Sequence, residues 1–77
     1  MSVPTLRTFA SALRAHRKAA GLTQHALAGA LGLDRLTIWR WEQGTHSPPV
    51  KDLDRLAAAL GCPPAALFTE EARNASS

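Results

Sequence analysis

Between Asp34 and Gln43, two arginines, Arg35 and Arg40, are interleaved with two large apolar residues, Leu36 and Trp39. At the 100° per residue of an α-helix, Asp34, Thr37, Ile38, Trp41 and Glu42 gather on one side. Leu36, Trp39, Arg40 and Gln43 gather on the other, with Arg35 at the shoulder. Ile38 and Trp41 form the natural core side, which leaves Leu36 and Trp39 pointing outward beside the arginines. A guanidinium can bond guanine O6 and N7 together, and an apolar side chain can contact a thymine methyl; the major groove admits one α-helix. The competing reading is structural: Trp39 folds over a neighbouring helix, and Leu36 is a solitary surface leucine of a common kind.

Such a face needs a helix held proud of the body. Ala28 is small where two helices must cross closely. Gly32, four residues later, permits a left-handed turn. Ile38, six beyond Gly32, returns to the core. Together these describe two helices joined by a tight turn, the helix-turn-helix arrangement.

The rest of the chain supplies elements of the same kind. Helix formers dominate, and no alternating strand pattern occurs. The spacing predicts a helix over residues 6–20, capped by Thr5, with Leu6, Phe9, Ala10, Leu13 and Ala20 on one face and Gly21 as its stop. A second helix is expected over residues 24–31 behind Thr23, with Leu27, Ala28 and Leu31 inward. The third follows Asp34 and runs to Gln43. After Ser47-Pro48-Pro49, a fourth spans residues 50–60, with Leu53, Leu56, Ala57 and Leu60 inward and Gly61 beyond. Pro63-Pro64 opens a last short helix to about Phe68. The fold class is therefore all-α, a compact five-helix bundle. One domain is expected over residues 1–68, followed by a flexible polar tail over residues 69–77.

Composition narrows the function classes. A 77-residue chain is one domain at most and has no room for a deep cleft walled by its own core. Residues 1–68 hold eight Lys/Arg against four Asp/Glu, whereas Glu70, Glu71 and Arg73 leave the tail negative. The basic part is thus the folded part, which favours an anionic partner. No apolar run approaches the roughly 18 residues of a membrane span, and no signal peptide is visible. A single cysteine, Cys62, rules out an internal disulfide, and its default role is a small buried hydrophobe. His16, His25 and His46 fall on different elements without metal-site spacing. Ser11 and Ser47 lack a partnered His and acid, and Asp52 and Asp54 diverge on a solvated helix face. The expectation is no enzyme, no cofactor, no metal, no membrane and a cytoplasmic location.

On these residues the chain resembles the Cro/phage-repressor, or xenobiotic-response-element, family of helix-turn-helix proteins. The carriers are Gly21-Leu22-Thr23-Gln24, Leu27-Ala28, Leu31-Gly32, Thr37-Ile38-Trp39-Arg40-Trp41-Glu42-Gln43-Gly44, Leu56-Ala57 and Leu60-Gly61. The resemblance covers roughly residues 6–68, nearly the whole chain. It implies a transcription regulator, most often a repressor, of bacterial or phage origin and associated with the nucleoid. Such a protein binds double-stranded DNA as a homodimer on a palindrome. By position, the resemblance implies that Arg35, Leu36, Trp39 and Arg40 face bases. It implies that Thr23, Gln24, Thr37, Gln43, Thr45 and His46 face phosphates, in keeping with the unpaired N–H groups of a helix N-terminus. It also implies a structural ion pair between Arg17 and Glu42.

That pair has an independent warrant. Arg17 lies four after Leu13 and eight after Phe9, and Glu42 lies four after Ile38. Opposite charges placed inward on separate helices are best explained by each other, because a buried unpaired charge is costly. The family often carries a small polar residue at Trp39 and a capping Ser at Pro49, so no operator sequence transfers. Pro63, Pro64, Leu67 and Phe68 are the expected dimer surface, or alternatively close the core. Other readings are a protein-interaction, antitoxin or controller module, and the detached DNA-binding part of a longer regulator.

Overall fold

The computed structural model describes residues 4–68, and the expected tail, residues 69–77, lies outside the described residues. Four α-helices and a terminal 3₁₀ helix follow one another, and no strand occurs among the described residues. Helix α1 (Pro4–Ala19) begins one position before the expected cap, Thr5, which therefore lies inside the helix. Proline suits a first turn because its missing N–H would find no partner there. The far end is also shifted. Ala20, expected on the inner face, is exposed, because the chain has already left the helix for the turn at Gly21.

Helix α2 (Gln24–Leu31) is capped by Thr23, whose hydroxyl accepts from the Ala26 amide at 3.0 Å. Gly32 ends it at φ 70°, donating its N–H toward the Ala28 and Gly29 carbonyls. The left-handed conformation reverses the chain within Gly32-Leu33-Asp34 and starts α3 (Arg35–Glu42) at an angle to α2. At its head, the Asp34 carboxylate accepts from the Thr37 amide at 2.9 Å. Helix α4 (Val50–Leu60) starts behind Pro49 without a side-chain cap and stops at Gly61.

The fifth expected helix is a 3₁₀ helix, Pro64–Phe68. Two prolines at its entry contribute no N–H, and the amide of Ala66 bonds the Pro63 carbonyl at 3.0 Å, one residue short of α-helical pairing. Among the described residues the bundle thus contains four α-helices rather than five.

Phe9, Leu13, Leu27, Ile38, Leu56 and Leu67 are fully buried and form the centre of the core. Helix α1 packs on α3 and on the 3₁₀ helix, α2 packs on α3 and α4, and α4 meets the 3₁₀ helix. Leu67, expected on a dimer surface, is therefore a core residue: it closes the gap between α1 and α4. Pro63 and Pro64 stay exposed, and Phe68 lies half out, with its ring 5.3 Å from that of Phe9. Cys62 is half-buried against the core, and burial pushes its thiol pKa up, away from reactivity.

Asp52 and Asp54 do diverge, but only Asp54 is solvated. Asp52 is buried and pairs with Arg55 at 3.4 Å. Arg55 in turn donates to the Leu31 carbonyl at 2.6 Å. One side chain of α4 thereby satisfies an open carbonyl at the end of α2, where positive charge suits the helix dipole.

Gly32 tests the turn without steric confusion, because a Cβ added there meets nothing within 4 Å. Gly32→Ala should lower unfolding free energy by about 1–2 kcal/mol from backbone strain alone. Gly29 sits in α2 with equally open space. Gly29→Ala should raise stability by about 0.5–1 kcal/mol through helix propensity. Urea unfolding of the two variants checks both signs.

Candidate nucleic-acid interface

The site is built outward from Glu42, which is 3% exposed at the end of α3. Arg17 from α1 grips its carboxylate with two bonds, Nε to Oε2 at 2.6 Å and Nη2 to Oε1 at 3.1 Å. The third arm of the same guanidinium donates to the Leu22 carbonyl at 2.9 Å. The expected ion pair is present in fork geometry, which suits arginine. Arg14, one turn earlier on α1, reaches Glu42 Oε1 at 3.7 Å and its backbone carbonyl at 3.5 Å.

Gln24, the first residue of α2, joins this cluster. Its Nε2 donates to Glu42 Oε1 at 3.1 Å, and its Oε1 accepts from Arg35 Nη1 at 3.3 Å. A continuous chain of bonds therefore runs from α1 through buried Glu42 and half-buried Gln24 to exposed Arg35 on α3. The sequence placed Gln24 at a helix start but carried no sign of this bridge, because its partners lie 18 and 11 residues away. Arg14 was missed as well; its spacing of three from Arg17 is the signal that puts it beside the same carboxylate.

The outer face of α3 matches expectation in exposure. Leu36 is 44% and Trp39 43% exposed, so both present apolar surface to solvent. Arg40 is exposed and has no hydrogen-bond or ion-pair partner among the described residues. Ile38 and Trp41 are buried beneath them. One short helix thus carries a buried face of Ile38, Trp41 and Glu42 and an open face of Arg35, Leu36, Trp39, Arg40 and Gln43.

The polar residues around it differ in how free they are. Thr23 uses its oxygen to cap α2 and keeps its proton to donate. Thr37 is less available, because its hydroxyl donates to Asp34 Oδ1 at 2.8 Å and it is half-buried. Gln43 is exposed and caps the end of α3 through its backbone. Gly44, at φ 77°, then turns the chain, and the exposed Thr45 and His46 pair with each other at 3.0 Å. The hydroxyl and amide of Thr37 hold the Asp34 carboxyl below its ordinary pKa, with a smaller contribution from Arg40. Among the described residues, no group of three His, Cys, Asp or Glu side chains could hold a metal ion. No helix among them is long and apolar enough to cross a membrane.

A buried hub, a capped eight-residue helix and an open face of mixed charge and apolar surface form a helix-turn-helix in geometry. Residues 8–68 match the family model described as a helix-turn-helix domain. The chain belongs to the helix-turn-helix family. It is 47% identical over 49 residues to an uncharacterized HTH-type transcriptional regulator of Methanothermobacter thermautotrophicus, covering 64% of this chain and 71% of that protein. It is 32% identical to the cryptic phage CTXphi transcriptional repressor RstR of Vibrio cholerae, across 86% of this chain and 60% of that repressor. Among solved structures, the restriction-modification controller protein C.AhdI from Aeromonas hydrophila superposes with a TM-score of 0.76 at 38% identity, covering 82% of this chain and 96% of that one. The hypothetical transcription factor NHTF from Neisseria superposes with a TM-score of 0.81 at 26% identity, covering 95% and 85%.

Three outcomes follow for the hub and the cap. Arg17→Ala should cost about 3 kcal/mol or more in urea unfolding, because it strips a buried carboxylate of its main partner. Arg14→Ala should cost less than about 1 kcal/mol, since its pair is half-exposed and long. The Asp34 pKa is depressed on folding, so its charge stabilises the protein above the ordinary carboxylate range and that stability is lost as pH falls. Asp34→Asn keeps a capping oxygen but no charge. Its melting temperature should lie below that of the parent at neutral pH and converge with it in acid, once pH falls below the depressed Asp34 pKa.

Proposed function

We propose that this helix-turn-helix chain regulates transcription by inserting α3 into the major groove of double-stranded DNA. DNA-binding transcription regulation is the function of the family to which the chain belongs. The observation that carries the finer reading is the pairing of Arg35 and Arg40 with two open apolar side chains on a helix whose opposite face is fully buried. Arg35 and Arg40 bond base edges, each good bidentate contact contributing about 1–3 kcal/mol of discrimination. Leu36 and Trp39 supply apolar contact. Thr23, Gln24, Gln43, Thr45 and His46 hold phosphates on either side and set the register. Thr37 contributes through the Asp34 cap more than by direct contact, given where its proton goes. Gln24 has a second duty in this reading, because its bond to Arg35 aims that guanidinium.

The proposal includes a homodimer on a palindromic site. A single small module buries only about 600–1,000 Å² on DNA, and two-fold pairing would set half-sites about 34–36 Å apart. Exposed Pro63, Pro64 and half-exposed Phe68 are the surface assigned to that pairing; Leu67 supports it from within. Repression is the favoured direction, supported by the similarity to a phage repressor. Residues 1–68 act as the DNA-binding domain in the cytoplasm, associated with the nucleoid, and no catalytic step is assigned to the chain.

Selection from random duplexes should recover a symmetric site. On that site, Arg40→Ala should lose about 1–3 kcal/mol and relax the base preference at one position per half. Thr45→Ala should weaken selected and random duplexes alike. Binding of the parent should fall steeply with salt through counterion release. Equal losses for both variants on both duplexes, or binding indifferent to salt, would overturn the reading.

A further inference from the structure

We infer that Arg14 is a phosphate-binding residue, a contact that α1 adds to the DNA interface from outside the helix-turn-helix. The inference rests on the DNA reading of α3 proposed above and extends the bound surface to a third helix.

Helix α1 carries Arg7, Arg14, Arg17 and Lys18 and no acidic residue. Among the described residues, the carboxylate that pairs with this helix is Glu42. One carboxylate balances one guanidinium, and Arg17 takes that place. It bonds both oxygens, at 2.6 and 3.1 Å, with its side chain only 12% exposed. Gln24 fills a further lone pair of Oε1 at 3.1 Å. Arg14 reaches that same oxygen only at 3.7 Å, and its bond to the Glu42 carbonyl, at 3.5 Å, is at the outer limit of a hydrogen bond. Its side chain is half exposed. A pair of this kind contributes little to stability, so the Arg14 charge is surplus to the hub.

The position of that surplus charge points to its ligand. Arg14 and Gln24 converge on Oε1 of Glu42, and the Glu42 carbonyl that Arg14 touches is followed directly by Gln43. In the DNA reading Gln24 and Gln43 hold phosphates, so Arg14 stands beside both, at the rim of α3 rather than on its open face. The arginine fork matches a phosphate, and charge-assisted bonds to it are stronger than a long pair to an oxygen already shared. Releasing Arg14 from Glu42 costs little because Arg17 and Gln24 stay in place. Releasing Arg17 would strand a buried carboxylate. The two arginines thus divide the duties: Arg17 holds α3, and Arg14 meets the nucleic acid. A phosphate contact positions the protein without reading sequence, so its effect is the same on every duplex.

The test uses the full chain, the duplex it selects from a random pool and an unselected duplex of equal length. Arg14→Gln should weaken binding to both by the same factor, about fivefold at about 0.15 M salt, and should reduce the slope of log affinity against log salt by about 0.9, the share of one phosphate. Arg14→Lys keeps the charge and should keep the parent slope. Arg7→Gln removes the same charge from the same helix about two turns away and should leave the slope near that of the parent. Urea unfolding of Arg14→Gln should stay close to the parent. An unchanged slope for Arg14→Gln, a loss confined to the selected duplex, or an equal flattening by Arg7→Gln overturns the phosphate contact and leaves the DNA reading standing. Destabilisation of Arg14→Gln as large as that of Arg17→Ala overturns it too, by making Arg14 part of the hub. A parent that binds no duplex, or binds without salt dependence, overturns the DNA reading itself.

Discussion

Everything on the open face depends on one buried carboxylate. Glu42 ends a helix of only eight residues, too short to be stable in isolation. Removing its charge from water is expensive, and the expense is offset only by well-aimed donors. Arg17 supplies two, Gln24 a third, and Arg14 adds charge from the half-exposed side. These donors come from α1 and α2, so the carboxylate fixes α3 against two other helices at once. Ile38 and Trp41 add apolar burial but little direction; the bonds to Glu42 supply the direction.

The turn and caps complement that hub. Gly32 sets the angle between α2 and α3, and the Asp34 carboxylate closes the Thr37 amide at the start of α3. Arg55 reaches back from α4 to the last carbonyl of α2, anchoring the helix on which the turn depends. These contacts are polar, local and directional, whereas the core from Phe9 to Leu67 supplies the non-directional bulk of the stability. A small domain with a modest core needs both.

Function and structure meet in Gln24. It accepts from Arg35 on the open face and donates to Glu42 beneath it. The same network that holds α3 in place therefore also orients its first arginine. Among the described residues, Leu36, Trp39 and Arg40 have no such tether, so their directions depend on packing along α3 and on the surface they meet. Among the described residues, Arg35 is pre-aimed by Gln24, whereas Arg40 has no hydrogen-bond or ion-pair partner.

By itself the sequence determined the helices, the turn at Gly32, the two faces of residues 34–43 and the inward pairing of Arg17 with Glu42. All of these follow from periodicity, capping chemistry and the cost of burying charge, which act over a few residues or through a simple inside-outside rule. Family likeness, also visible in the sequence, supplied the expectation of DNA. Only the tertiary structure decided that Leu67 belongs to the core and Phe68 only half to it, because which side of a short terminal turn meets α1 is a packing matter. It also decided that Asp52 is buried with Arg55, that the last element is 3₁₀, and that Thr37 gives its proton to Asp34. Above all, it joined Gln24 to both Glu42 and Arg35. Bonds between residues 11 and 18 apart obey no sequence period; they exist because α1, α2 and α3 converge on one carboxylate.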